Sequence, residues 1–317
     1  MSRGIRYAFP QQNDEEFVKL LKAQRYYYKV AKRWQMGRLI VSITIPLIIA
    51  IAKLKSLNEF EEYKKFFSWL DLSWIILLSL TWIAISFILK LYEKKYISLA
   101  ASIQEKFDSK LFKIEKNQFL FPSTPPPEKI NNGADKFRGN IEKLYNWYPL
   151  EDSGNNFLNI LLAQRTNIVW DKNLKVKYRN LLLSFLILIL FVEILVAWSI
   201  DLKFRDALTV LFLSTIPLFV LLGEYAWELS KQINSNEIVG KKILDLCEKI
   251  QAYSHDELKC KCRQVQDYIY ERNRLRSILI PEWLYWLRRD KDNQDILETN
   301  RTLIRKYNLK KEKSHAT

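Results

Sequence analysis

A chain of 317 residues with 49% hydrophobic and 27% charged residues is neither an ordinary soluble protein nor one wholly embedded in lipid, because very apolar stretches alternate with strongly basic ones. The net charge of +15 does not require nucleic acid, since Lys and Arg gathered on the inner side of a membrane protein give the same total. Three cysteines, Cys247, Cys260 and Cys262, make no even disulfide framework and suit a reducing compartment.

Residues 1–12 are polar and without period, and no cleavable signal precedes the first apolar run near Leu39. Asn13 followed by Glu16 is a capping-box spacing and predicts a helix start. Phe17, Leu20, Leu21, Tyr27, Tyr28, Ala31 and Trp34 then recur at helical spacing among Lys and Arg, as in an amphipathic helix lying in the cytoplasm. The first apolar run, residues 39–52, is short for a span and reaches spanning length only with Gly37 and a snorkelling Lys53; Pro46 predicts a kink in it. The second, residues 72–89, carries Trp74 and Trp82. Between them, residues 54–71 balance three Lys against Glu59, Glu61, Glu62 and Asp71, which marks an outer loop.

Past Lys90, Lys94 and Lys95, residues 92–114 place Ile97, Ala100, Ala101, Phe107, Leu111 and Ile114 on one side, so the second span should continue into the cytosol as a helix. Pro122, Pro125, Pro126 and Pro127 predict an extended connector, and residues 131–156 read as loop around Tyr145, Trp147, Tyr148 and Pro149. Residues 157–165 are helical, and Asp171 is placed to cap a long helix entering the third span, residues 181–200, about twenty residues long and able to cross the ~30 Å hydrocarbon core. Its approach is basic and aromatic: Arg165, Trp170, Lys172, Lys175, Lys177, Tyr178, Arg179. Residues 201–206 form a short outer turn. The fourth span is 207–222, with Pro217 near its inner end and Trp227 at the interface, and the remainder reads as helical, with 241–253 and 258–280 as candidates.

The expected fold is therefore an all-α membrane protein, with four transmembrane helices in two hairpins and a helical cytoplasmic domain built from both halves. Its segments are 1–38, 39–89, 90–180, 181–222 and 223–317, with both termini and the middle on the cytoplasmic side of a multi-pass membrane protein. The halves echo one another: Ala23-Gln24-Arg25 precedes span one and Ala163-Gln164-Arg165 precedes span three, either by parallel duplication or by chance.

Nothing in the sequence assembles a catalytic constellation. His255 and His315 lie in no metal motif, Cys260-x-Cys262 lacks a second pair, and seven glycines offer no phosphate-cradling loop, so neither an enzyme nor a metal or other cofactor is expected. Glu193 inside span three is costly in lipid: it lines a pore as part of an acidic ring, or it is a protonated acid bonded to a neighbouring helix. Ser79, Ser86, Thr209 and Thr215 line water or hold helices together. On the cytoplasmic side, Arg25, Lys32, Arg165 and Arg272 stand near Tyr28, Trp170, Tyr268 and Tyr270, a mixture that suits phosphates and bases of a small nucleotide or, equally, anionic lipid headgroups.

Four stretches carry a more specific signal: AQRYYYKVAKRW before span one, NWYPLED and LAQRTNIVWDKNL before span three, and RQVQDYIYERNRLRSILIPEWLYWLRRD near the end. In this order around four spans, the chain resembles the SMODS-associated four-transmembrane pore-forming effectors of bacteria, which accompany cyclic-oligonucleotide synthases in anti-phage systems. The resemblance implies an inner-membrane effector that senses a cyclic oligonucleotide and breaks the membrane barrier as a homo-oligomer, without DNA or RNA as partner. It implies Arg25, Gln164, Arg165, Trp170, Asp171, Arg272 and Trp283 as candidates for sensing or for holding cytoplasmic helices, beside Tyr28 and Lys32 from the basic–aromatic pattern. The competing readings are a constitutive channel or transporter, and a membrane scaffold that recruits a partner.

Overall fold

A computed structural model of the chain describes residues 7–57, 72–121 and 124–315, with no description of the side chains of 52–57, 72–76, 78–79, 288–291 and 313–315. The described residues are almost wholly helical. Helix α1 spans Glu15–Leu57, α2 Leu72–Phe112, α3 Pro127–Asp135 and α4 Asn156–Ser199. A turn of helix, Phe204–Asp206, and a π-helical stretch, Ala207–Phe212, lead into α5, Leu213–Glu248. Helix α6 spans His255–Tyr268, runs into a second π-helical stretch at Ile269–Leu275, and is followed by α7, Glu282–His315.

The chain divides into two compact units. One comprises residues 1–30, 95–176 and 231–317, the other residues 31–94 and 177–230. Helices α1, α2, α4 and α5 each contribute to both.

The first unit has a conventional water-facing construction. Its core joins Leu20, Leu21, Phe107, Leu111, Tyr148, Leu158, Leu161, Leu162, Ile168, Ile243 and Cys262, drawn from helices far apart in sequence. Aromatic rings run through it: Phe9 lies 5.3 Å from Phe112, Phe112 lies 5.4 Å from Tyr148, and Phe17 meets Phe107 edge-on at 5.7 Å. Helix α3 crosses α1 so closely that a Cβ on Gly133 would stand 2.6 Å from the Tyr27 ring and 3.2 Å from Ala23. Glycine and alanine are required at this crossing. The two Ala-Gln-Arg triplets sit in the third turn of α1 and of α4, with Ala23, Gln24, Ala163 and Gln164 all at or below 1% exposed. Three residues beyond each triplet, Tyr28 bonds to Gln104 on α2, and Ile168 faces Gly240 on α5.

The second unit is built inside out. Ile40, Ile48, Leu80, Ile83, Phe87, Ile187, Leu188, Phe191, Leu213 and Val220 are exposed, while Ser42, Glu93, Glu193, Ser214 and Thr215 are buried. Continuous exposed apolar surface of this extent does not persist in water; it matches a hydrocarbon solvent. Three helical stretches among the described residues, Glu15–Ile51, Asn156–Ser199 and Phe204–Glu248, are long and apolar enough to cross a membrane, and the described part of α2 repeats their exposed apolar pattern. Trp198 and Phe204, 81% and 79% exposed, flank the turn between α4 and the next helical stretch, where Asp201 takes a positive φ of 51°.

Several local expectations are corrected. Asn13 ends a 3-10 turn, Pro10–Asn13, and its amide pairs with Asn146 instead of capping α1, which starts with Glu15 and Glu16 favourably placed against the helix dipole. Pro127 opens α3 rather than extending a connector, because the first helical position needs no N–H. Asp171 lies within an unbroken α4, its carboxylate drawn to Lys175 and Asn236. Residues 241–253 belong largely to the end of α5, and 258–280 break at the second π-helical stretch. The helix expected over residues 92–114 is present as the continuation of α2, while the loop of 54–71 falls mostly outside the described residues.

Candidate functional site

Helices α1, α4 and α7 meet in the first unit around one arginine. On α7, Glu282, Tyr285 and Trp286 share a face by their spacing of three and four residues. Arg25 of α1 directs Nη2 to Glu282 Oε1 at 2.9 Å, and its guanidinium carbon lies 4.5 Å from the centroid of the Tyr285 ring and 5.1 Å from that of Trp286. From the connector after α3, Lys143 brings its ammonium 4.2 Å from the same Trp286 ring. Trp170 of α4 closes the group edge-on to Tyr285 at 4.7 Å. Cations held against aromatic faces beside a half-exposed carboxylate form a surface that can exchange one anion for another. Asn300 donates to Thr166 at 3.1 Å and Arg301 to Glu151 at 2.7 Å, which fixes α7 against α4 and against the segment preceding it.

Deeper in the same unit lies a charged network that solvent does not reach. Glu105 and Asp108 of α2 are 1% and 0% exposed. The second π-helical stretch turns Arg274 inward onto them: Nη1 stands 3.4 Å from Glu105 and Nη2 pairs with Asp108. Arg263 adds a contact to Glu105 at 2.9 Å, and Gln266 donates to both acids at 2.9 and 3.0 Å. Tyr148 donates to Asp108 at 2.8 Å and accepts from Asn167 at 2.7 Å. Burial pushes the Glu105 carboxyl above its ordinary value against the pull of Arg274 and Arg263. Burial also opposes the charge on Arg274, but Asp108, Tyr148 and Glu105 outweigh it and hold the guanidinium protonated. These groups pair mainly with one another, so the network is a fastening between α2 and the C-terminal third.

In the second unit a smaller fastening joins α1, α2 and α5. Arg38 donates through Nε and Nη2 to Glu93 Oε2 at 2.9 and 2.8 Å and contacts the Tyr225 hydroxyl, with side chains 11% and 10% exposed.

A family model described as the SMODS-associating 4TM effector domain matches residues 9–303. The chain belongs to this family. It is also 34% identical over 299 residues to a protein of Bacillus cereus (strain VD146) named Probable CBASS effector molecule, covering 94% of this chain and 98% of that one. No solved structure matches.

Within this effector-family chain, the residues singled out by sequence fall in different places. Arg25 and Trp170 come together in the aromatic cluster. Tyr28 is half-buried and donates to Gln104. Gln164 is fully buried, donating to the Cys262 carbonyl at 2.8 Å and to Gln266 at 3.2 Å. Asp171 bonds Lys175 at 2.5 Å and Asn236 at 2.8 Å. Arg165 is half-buried beside Cys247, its Nε and Nη1 unpaired among the described residues, and burial lowers its pKa. Arg272 and Trp283 are exposed, and no described contact brings Arg272 to Arg25. Lys32 belongs to the second unit. Of the residues considered for a pore, Thr209 and Thr215 bond back to carbonyls of their own helix, at 3.0 and 3.1 Å for the shorter contacts. The Ser86 hydroxyl is buried without a partner among the described residues, and the Ser79 side chain lies outside them. Glu193 is 6% exposed and faces the inside of the second unit near Thr215, and neither of its oxygens makes a well-formed hydrogen bond with a described residue.

Sequence reasoning missed Lys143, Glu282 and Trp286, and it missed the network at Glu105, Asp108 and Arg274. The run PEWLYW contains the signal for the first group, since Glu282, Tyr285 and Trp286 fall on one helical face. Lys143 sits in irregular structure with no period to mark it.

Proposed function

We propose that this protein is an effector of bacterial anti-phage defence that permeabilises the inner membrane when a cyclic oligonucleotide binds its first unit. The observation carrying this reading is that the Arg25 cluster draws on α1 and α4, two of the helices that continue as exposed apolar stretches of the second unit. A ligand that binds one arrangement of the cluster better than another shifts the equilibrium by that difference in affinity, and helices shared by both units carry the shift into the membrane. Family membership and the effector name of the Bacillus cereus relative favour this over a constitutive channel or a scaffold.

In this reading the first unit and both termini lie in the cytoplasm, four spans form two hairpins, and the permeabilising state is a homo-oligomer. The protein catalyses no reaction. Glu193, buried and poorly satisfied, lines the conducting path once subunits assemble.

The test uses purified full-length protein in liposomes loaded with a self-quenched dye, challenged with a panel of cyclic di- and trinucleotides. Release with one nucleotide class and retention without nucleotide support the proposal. Release independent of any nucleotide points to a constitutive channel, and retention under every condition overturns permeabilisation.

A further inference from the structure

We infer that Arg25 and Lys143 form the phosphate seat for this ligand, and that Glu282 occupies the seat in the resting protein as an internal competitor. The inference rests on the reading above and names the site and its regulation. A carboxylate and a phosphodiester present similar paired oxygens to a guanidinium fork, so what holds Glu282 also holds phosphate. Arg25 already binds Glu282 Oε1 at 2.9 Å while its face lies on Tyr285. Lys143 approaches the same Trp286 ring as Arg25, which places a second cation around the one indole.

Accessibility separates this pair from the buried Arg274 network of the same unit. The Glu282 side chain is 36% exposed and Arg25 14%, whereas Arg274 and Asp108 are 5% and 0% exposed. An incoming anion can replace Glu282 without opening the core. Trp283, the next residue, exposes 55% of its surface, a platform on which a base can stack beside the seat.

Position gives the exchange a consequence. Glu282 is the first residue of α7, and its bond to Arg25 ties the start of that helix to α1. Losing that bond to phosphate loosens α7 from α1. The resting pair keeps part of the population in a binding-incompetent state, which lowers apparent affinity in proportion.

The experiment compares wild type, Glu282→Gln, Arg25→Gln, Arg25→Lys and Lys143→Gln as full-length protein in detergent. Binding of the same cyclic di- and trinucleotide panel is measured by calorimetry, and dye release is measured separately in liposomes. We expect Glu282→Gln to bind about tenfold more tightly, within the usual range of coupling between sites, and to release dye at correspondingly lower nucleotide. Arg25→Gln and Lys143→Gln should each lose at least that factor. If Arg25→Gln loses its helical signal, Arg25→Lys replaces it and should still bind several-fold more weakly through loss of the fork. Unchanged affinity in both Glu282→Gln and the Arg25 variants, with wild type binding and releasing, overturns the seat and leaves the proposed function standing. Binding that depends on Arg25 without dye release supports the seat and overturns permeabilisation. No binding by wild type overturns both.

Discussion

Arg274 carries a full charge into a place where solvent barely enters, and it is tolerable there because Glu105 and Asp108 surround it. Such a network contributes little net stability relative to apolar packing, but removing one member strands the others. Arg274→Ala should therefore destabilise the first unit by about 3–5 kcal/mol, read as a large drop in the thermal midpoint in detergent. A neutral outcome would mean that water reaches the two acids. Glu105 adds a pH dependence. Its folded pKa is raised, so its contribution is fully present below the unfolded value and is lost as pH rises through the folded one. In melts taken from acid to neutral pH, wild type should lose stability relative to Glu105→Gln, and parallel curves would contradict this. The cysteines behave more simply: burial pushes Cys247 and Cys262 up to about 12, so both remain protonated thiols in the interior.

At the scale of elements, helices longer than a span are the material of this protein, and their fastenings decide how they move. Arg38 and Glu93 tie α1 to α2, with Tyr225 of α5 against them. Arg38→Ala leaves Glu93 buried without its countercharge, at a cost of about 3–5 kcal/mol. Liposomes carrying this variant should leak dye without nucleotide, and the exchange Arg38→Glu with Glu93→Arg should restore retention; tight liposomes in the single variant would contradict a closing role. Hydropathy and loop charge made the long apolar stretches of α1, α4 and α5 readable, since a helix in lipid needs only length and apolarity. Helix breaks were less readable. Pro127 starts a helix, Asp171 sits inside one, and the two π-helical stretches have no sequence signal distinct from α-helix. Helix α7 falls only under the general helical reading of the C-terminal remainder, because its polar, charge-rich residues 288–313 mask the apolar points, such as Ile296 and Ile304, that it buries. The candidate site was half legible for a related reason. Arg25 and Trp170 stand in basic–aromatic runs, whereas Glu282 and Lys143 gain meaning only from partners remote in sequence.

For the whole molecule, burial inverts between the two units, water-facing in one and lipid-facing in the other, and the family assignment covers both. The account joins these facts through one claim: the protein keeps a membrane sealed until a cyclic oligonucleotide is made. The most direct measurement is membrane potential, followed with a voltage-sensitive dye in bacterial cells producing this protein alone, with an active cyclic-oligonucleotide synthase, or with a catalytically dead one. The account predicts depolarisation only with the active synthase. Depolarisation by the protein alone, or an intact potential while the nucleotide accumulates, would contradict it.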